Sequence, residues 1–340
     1  MSDEESTMTA GPATTTTGAA ERPAGDLTVV VLAGGLSHER DVSLRSGRRV
    51  AEALRESGVT VHVHDVDTTM LPFLAEHRPD VVWPLLHGST GEDGSLRAVL
   101  ELLDLPYVGS DSAGSRIASR KPVAKSIVAG AGVLTPTSVA LPQSLFRELG
   151  AQGVLDAVLA SIGLPVVVKP ADGGSALGVS YVARAEDLPE AMVTCFAYGD
   201  SALIERAVVG TEVAVSVIDL GDGPRALPPV EIVTEGPYDY DARYNAGRTQ
   251  YFVPARLDDA QYRTVCETAM TAHRALGLRH LSRSDMILDE DGQAWFIDMN
   301  VAPGMTETSL FPQSAQAEAA DGGMSAVDLY LALVRAAARG

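Results

Sequence analysis

From Leu27 onward the chain switches repeatedly between two hydrophobic periods. Residues 27–32 are a short β-branched run that ends at Gly34-Gly35 and predicts a strand. Val42, Leu44, Val50, Ala51 and Leu54 then follow helical spacing. Residues 59–66 alternate apolar and polar positions and predict a second strand. Residues 81–86 predict a third, 96–103 a helix, and Tyr107-Val108-Gly109 a short strand. Strands alternating with helices predict a parallel sheet with crossover helices over residues 26–115.

The second half reads differently. Residues 116–136 keep helical spacing through Ile117, Val123, Ile127 and Val128, then stop at Gly132 and Pro136. Ser138-Val139-Ala140 opens a second cluster. Residues 164–169 predict a strand, and 179–182 resume it after Asp172-Gly173-Gly174-Ser175-Ala176-Leu177-Gly178, which makes the glycine-rich stretch a hairpin loop. Residues 202–205 and 212–218 are further strands. Residues 234–250 are polar and aromatic with little period, which points to a lid or binding loop. A helix is predicted over 258–276. Strands 286–288 and 294–299 are joined by the turn Asp289-Glu290-Asp291-Gly292, and 326–337 close the chain as a helix. Residues 1–25, rich in Thr, Ala, Gly and Pro, are expected to form a disordered tail.

Composition narrows the function classes. A length of 340 residues suits two or three domains with real cores. Acidic residues outnumber basic ones 45 to 26, a net charge of −19. That argues against broad nucleic-acid binding, which needs clustered Lys and Arg, but leaves room for a basic pocket that holds a nucleotide. The two cysteines, Cys195 and Cys266, have no metal-ligand spacing, so a disulfide framework is excluded and a reducing compartment is expected. No apolar run reaches the ~18 residues of a membrane helix. The acidic N-terminus lacks an export pattern. The expected setting is therefore cytoplasmic, with no membrane partner.

Four constellations can carry chemistry, each beside a plainer reading. The glycine-rich stretch after Lys169 can present backbone N–H groups to an anion, or be a simple turn. It is not a P-loop, since the lysine precedes the glycines. Arg283-Ser284-Asp285 and Asp298-Met299-Asn300 are read as opening and closing paired strands. They form either a hard oxygen site suited to Mg²⁺ or solvated strand ends. Asn300-Val301-Ala302-Pro303-Gly304-Met305-Thr306 adds a glycine N–H that can meet an oxyanion beside Arg283. Glu39, after Gly34-Gly35, can hold an ammonium group at a strand's carboxyl end, or the segment can be a helix cap with Ser37 as N-cap. His87, before Gly91-Glu92-Asp93-Gly94, either polarises a substrate or is structural.

Taken in order, the runs GGLSHERDVSLRSG, LHGSTGEDGS, VVVKPADGGSALGVS, YDYDARYNAGRTQYFVPA and RSDMILDEDGQAWFIDMNVAPGMTETSLFP resemble the D-alanine–D-alanine ligase family of the ATP-grasp superfamily, over about residues 28–338. The resemblance implies an α/β fold, α+β in its ATP-grasp part. A parallel-sheet domain over 26–115 would precede a central subdomain over 116–210 and a C-terminal one over 211–340, with 234–250 as its lid. It implies ATP, two Mg²⁺ (or Mn²⁺), D-alanine as substrate and commonly a homodimer. By resemblance Lys121 and Lys169 contact phosphates, with Arg243 beside them. Residues 205–208, including Glu205 and Val208, line the adenine pocket, and Glu212 takes the ribose. Asp285, Asp298 and Asn300 hold metal. Glu39, linked to Ser175 and Tyr244, holds the first D-alanine. Arg283 and Gly304 meet the tetrahedral intermediate, and Ser309, Leu310 and His87 line the substrate side.

The chain departs from the family pattern at four places. Asp298 stands where Glu is usual, Arg243 where Lys is, Arg120-Lys121 for Asp-Lys, and Asn-Val-Ala-Pro-Gly for Asn-Thr-Ser-Pro-Gly. Tyr244 resembles the dipeptide-forming class, since ester-forming members tend to carry His there. The expected activity is ATP-dependent D-alanyl-D-alanine synthesis through an acyl phosphate, for peptidoglycan precursors. The alternatives are a related amide ligase of specialised metabolism acting on another D-amino acid, and an ATP-binding regulator without turnover.

Overall fold

The computed structural model describes residues 23–174, 177–234 and 249–339. Ala24–Asp26 form a short 3₁₀ turn, so the expected tail gives way to structure just before residue 25. The first unit is β1 (Thr28–Leu32), α1 (Arg40–Glu56), β2 (Thr60–His64), α2 (Met70–His77), β3 (Val81–Pro84), α3 (Ser89–Glu92) and α4 (Ser95–Leu102). Its strands pair in the order β2-β1-β3, all parallel. The strand expected at Tyr107 is a single parallel bridge to Val82.

Because side chains alternate along a strand, β1 buries both faces, as a parallel sheet between helices must. Val30 and Leu32 pack with Leu74, Leu96 and Leu100. Val29 and Val31 pack on the other side with Val50, Leu54 and Trp83. That second layer also takes in Leu329, Tyr330 and Leu333 from the last helix, and Trp83 meets Tyr330 edge-on at 5.6 Å. The end of the chain thus closes the core of its beginning.

The helix expected over 116–136 is two: α5 (Ser112–Ala118), capped by the Asp111 carboxylate accepting from the Gly114 N–H at 2.7 Å, and α6 (Lys121–Gly130). Pro122 explains the restart, since a proline fits a helix only in its first turn. Then come β4 (Ser138–Pro142), α7 (Gln143–Leu149), α8 (Ala151–Ile162), β5 (Val166–Pro170), β6 (Ser180–Val182), α9 (Leu188–Phe196) and β7 (Ser201–Arg206). These strands form an antiparallel sheet in the order β4-β7-β5-β6.

The last unit holds β8 (Thr211–Asp219), β9 (Arg225–Ala226), β10 (Val230–Thr234), β11 (Thr249–Phe252), α10 (Asp259–Ala275), β12 (His280–Leu288), β13 (Ala294–Asn300), α11 (Leu310–Ala320) and α12 (Ala326–Ala338). Asp258 and Gln261 form a reciprocal capping box that starts α10. The sheet runs β11-β10-β8-β12-β13, and its pairs are antiparallel. The segment read as irregular over 234–250 therefore begins and ends in paired strands, Thr234 opposite Thr249. Residues 235–248 lie outside the described residues. Cys195 and Cys266 are free and buried.

Candidate active site

The two antiparallel sheets face each other across a cavity of about 770 Å³. One wall is Val167, Lys169 and Pro170 of β5 with Glu205 and Arg206 of β7. The opposite wall is Glu212 of β8, Asp285 to Ile287 of β12 and Ile297-Asp298 of β13. Gly173, Gly174 and Leu177 of the glycine-rich loop, Lys121 of α6 and Val208 also line it. Leu36 to Glu39 and Gly88 come in from the first unit.

Strand register builds the acidic wall. Asp285 is the sixth residue of a nine-residue strand rather than its opening, the place that the sequence pattern suggests, and it pairs directly with Asp298. Arg283 pairs with Asn300. With side chains alternating, these four residues form one patch on one face. A β-bulge follows at Asp285/Met286, and Ile297 and Asp298 both line the cavity although they are consecutive. The Arg283 guanidinium grips Asp285 with two donors, Nε to Oδ1 at 2.6 Å and Nη2 to Oδ2 at 2.8 Å.

Across the cavity the cations gather. The Lys121 ammonium donates to the Gly173 carbonyl and lies 3.7 Å from an Asp298 oxygen, so it ties the glycine-rich loop to the opposite wall. Arg120 meets Asp172 at 3.6 Å on the exposed side. Lys169 Nζ sits 2.5 Å from Glu205 Oε1, and Lys125 Nζ sits 3.0 Å from Oε2. Burial alone would push the Glu205 carboxyl up; Lys169 and Lys125 outweigh it and hold the group below the usual carboxylate range. Burial pushes the Lys125 ammonium down to about 8 against the pull of Glu205.

The first unit contributes two buried acids. Glu39 occupies the position before α1 without a side-chain cap bond, and the Ser37 hydroxyl accepts from the Glu39 N–H at 3.2 Å. Ser37 is therefore not the N-cap of α1, although Asp41 does place an acid in its first turn. Gly88, at φ +79°, leaves Glu39 room: a Cβ there would lie 3.1 Å from Oε2. Glu92 received no role from the sequence, yet it is buried against Gly174, whose added Cβ would lie 2.5 Å from its Oε2. Its carboxyl is pushed up to about 7, first by burial and then by Glu39 and Asp298.

A folded state that keeps this proton while an unfolded chain loses it near the ordinary glutamate value loses stability as pH rises between the two. Glu92→Gln is expected to be more stable than the parent above pH 7, by at most about 3 kcal/mol. The advantage should vanish toward pH 4.5. Melting curves across pH 4.5–8 check this; parallel curves would show that Glu92 ionises freely.

The remaining residues stand behind the wall. His87 is buried and does not line the cavity among the described residues. Its Nδ1 lies 3.0 Å from the Ala302 carbonyl, so Nδ1 carries the proton, and Nε2 faces the Ser46 hydroxyl at 3.4 Å. Ser46 Oγ in turn accepts from the Met305 N–H at 3.1 Å. Burial, offset in part by Ala302 and reinforced by Arg283, pushes His87 down to about 4. Both ring nitrogens are engaged with protein, which fits a neutral strut under the 301–305 segment better than a group that polarises substrate. Val301 and Ala302, the two departures from hydroxyl residues, are buried, and Val301 joins an apolar cluster with Phe296 and Met299. Asn300 Oδ1 accepts from the Ala302 N–H at 2.8 Å. A Cβ on Gly304 would lie 2.7 Å from Ser309 Oγ, which itself accepts from the Thr306 N–H at 3.1 Å. Leu310 packs with Ala214, Val230 and Ile232. Ser175, Arg243 and Tyr244 lie outside the described residues.

Among the described residues no group of three or more His, Cys, Asp and Glu is placed to hold a metal ion. Asp285 and Asp298 are two carboxylates, with the Asn300 amide beside them. That donor set fits Mg²⁺, which takes one or two carboxylates when phosphates complete its shell. No helix among the described residues is long and apolar enough to cross a membrane.

Residues 127–335 match the family model described as D-ala D-ala ligase C-terminus, and residues 71–110 the one described as D-ala D-ala ligase N-terminus. The chain is 40% identical over 311 residues to a D-alanine–D-alanine ligase of Bordetella petrii, covering 91% of this chain and 92% of that one. It is 42% identical over 288 residues to one of Anaeromyxobacter dehalogenans, covering 84% and 90%. Among solved structures, the Bacillus anthracis D-alanine–D-alanine ligase complexed with ATP superposes with a TM-score of 0.76 at 26% identity, over 92% of this chain and 98% of that one.

Proposed function

The chain belongs to the D-alanine–D-alanine ligase family, whose members are ATP-dependent ligases, and from that premise we propose that it joins two D-alanines through an acyl phosphate to supply a peptidoglycan precursor. The observation that carries the reading is the single cavity that gathers Lys121, Lys169, Asp285, Asp298 and Glu39 from three separate units.

A free carboxylate is a poor acyl donor because oxide would have to leave. Phosphorylation by ATP supplies a leaving group, so the site must hold a polyphosphate against a carboxylate. Lys121 and Lys169 would hold the phosphates, and Val208 and Glu212, which line the same cavity, would meet the nucleoside. Glu39 would fix the ammonium of the first D-alanine. Asp285, Asp298 and Asn300 would hold Mg²⁺, which when bound shields the charge of the transferred phosphoryl group. The amine of the second D-alanine, once it has lost a proton, attacks the acyl carbon; the Arg283 guanidinium and Gly304 N–H stabilise the oxyanion, and the C–O bond to phosphate breaks as phosphate leaves. His87 acts as a positioning residue for the 301–305 segment. Gly173, held by Lys121, and its neighbour Gly174 would help exclude water from the acyl phosphate. The requirement for ATP and the two free cysteines support a cytoplasmic setting.

The test is ADP release with single D-amino acids, with mass analysis of the product. Stimulation by D-alanine and a D-alanyl-D-alanine product are expected. Stimulation only by another D-amino acid would replace this reading with the related amide ligase, which the relatives do not favour.

A further inference from the structure

Glu205 carries two cations, and they are not equivalent. Lys169 and Glu205 both line the cavity; Lys125 does not, among the described residues. Lys125 reaches Glu205 from behind, from α6, and its ammonium also donates to the Phe296 carbonyl of β13 at 3.1 Å. Side chains of all three are 6% exposed or less. The hub joins three elements: α6, the central sheet through Glu205 and the larger sheet through Phe296.

If the cavity is an ATP site, the reading on which this inference rests, Lys169 must serve a phosphate. In the structure Lys169 serves Glu205 instead. Taking its ammonium away would leave a buried carboxylate without a counter-charge, which is strongly unfavourable. A second cation that stays behind removes that obstacle. We propose that Lys125 is a positioning residue that keeps Glu205 neutralised and fixed, so that Lys169 is free to exchange Glu205 for a nucleotide phosphate. Lys125 touches neither ATP nor substrate; it sets how readily Lys169 changes partner.

A merely structural lysine would affect every ligand of the cavity alike. Lys125 as proposed affects phosphate binding selectively. The test compares the dissociation constants of ATP and adenosine by calorimetry, without amino acid, for the parent, Lys125→Met, Lys125→Arg and Lys125→Met/Glu205→Gln. Lys125→Met, in which Lys169 must stay with Glu205, is expected to lower the preference for ATP over adenosine at least tenfold. Lys125→Arg keeps the charge and should stay within about threefold of the parent. In the double variant the buried anion is gone, Lys169 is released, and the preference should return to within about threefold of the parent. If Lys125→Met does not fold, the double variant, in which the buried carboxylate is gone and Lys169 faces the cavity, still decides. A low ATP preference there overturns the proposal, as does an equal loss of ATP and adenosine in Lys125→Met. A parent protein that binds no ATP would instead remove the nucleotide reading itself.

Discussion

Replacing Arg283 with alanine is expected to lower kcat about 10²–10³-fold while changing ATP affinity less than about threefold. Arg283 is buried behind the acidic wall and holds Asp285 with two charge-assisted hydrogen bonds. Two roles are therefore superposed: it aims a carboxylate, and it offers a guanidinium to charge that develops on the acyl carbon's oxygen. They separate under metal titration. If aiming Asp285 were its whole contribution, excess Mg²⁺ would restore the variant, because a carboxylate freed of its arginine is more available to a cation. With the oxyanion role, turnover stays low at every Mg²⁺ concentration. Single-turnover measurement of dipeptide formation, with ATP affinity measured alongside, checks both halves.

Lys169→Met should cost about 10²–10³-fold in kcat/KM for ATP, divided between a higher KM and a lower kcat. Lys169 lies on the cavity wall formed by β5, Lys121 also lines that cavity, and Lys125 shares Glu205 with Lys169. Lys121 is already committed to the Gly173 carbonyl and Asp298, and Lys125 lies behind Glu205. Neither can take over a phosphate without giving up its present partner. Fold should survive, because Lys125 still neutralises Glu205. A melting temperature close to the parent's, together with the kinetic loss, is the expected pair of results. A large drop in melting temperature would mean that Lys169 serves mainly as a core ion pair.

The alternation of short strands and helices before residue 115 was legible because β-branched runs and helical spacing are local patterns. Asp285 and Asp298 were legible as neighbours at the ends of two strands joined by a turn, and the register pairs them directly. What the pattern missed is the reach of β12, which begins at His280 and leaves Asp285 well inside it. Helices α2, α7, α8, α9 and α11 are not among the elements read from the sequence, although the buried Leu188, Ala191, Met192 and Cys195 of α9 keep helical spacing. Glu92 and Lys125 escaped for a deeper reason. Nothing local distinguishes a surface glutamate from one buried under Gly174, or a surface lysine from one facing Glu205 and Phe296. Such residues become visible only when distant segments are brought together. For His87 the sequence left chemistry and structure both open, and the fold sets its two nitrogens against the Ala302 carbonyl and the Ser46 hydroxyl.

The central claim is that one cavity joins a phosphoryl group of ATP to a carboxylate before any peptide bond forms. The direct measurement uses D-alanine labelled with ¹⁸O in both carboxylate oxygens. Phosphate carrying a single ¹⁸O, formed in step with D-alanyl-D-alanine, is the expected result. Phosphate free of label alongside the same dipeptide would contradict it.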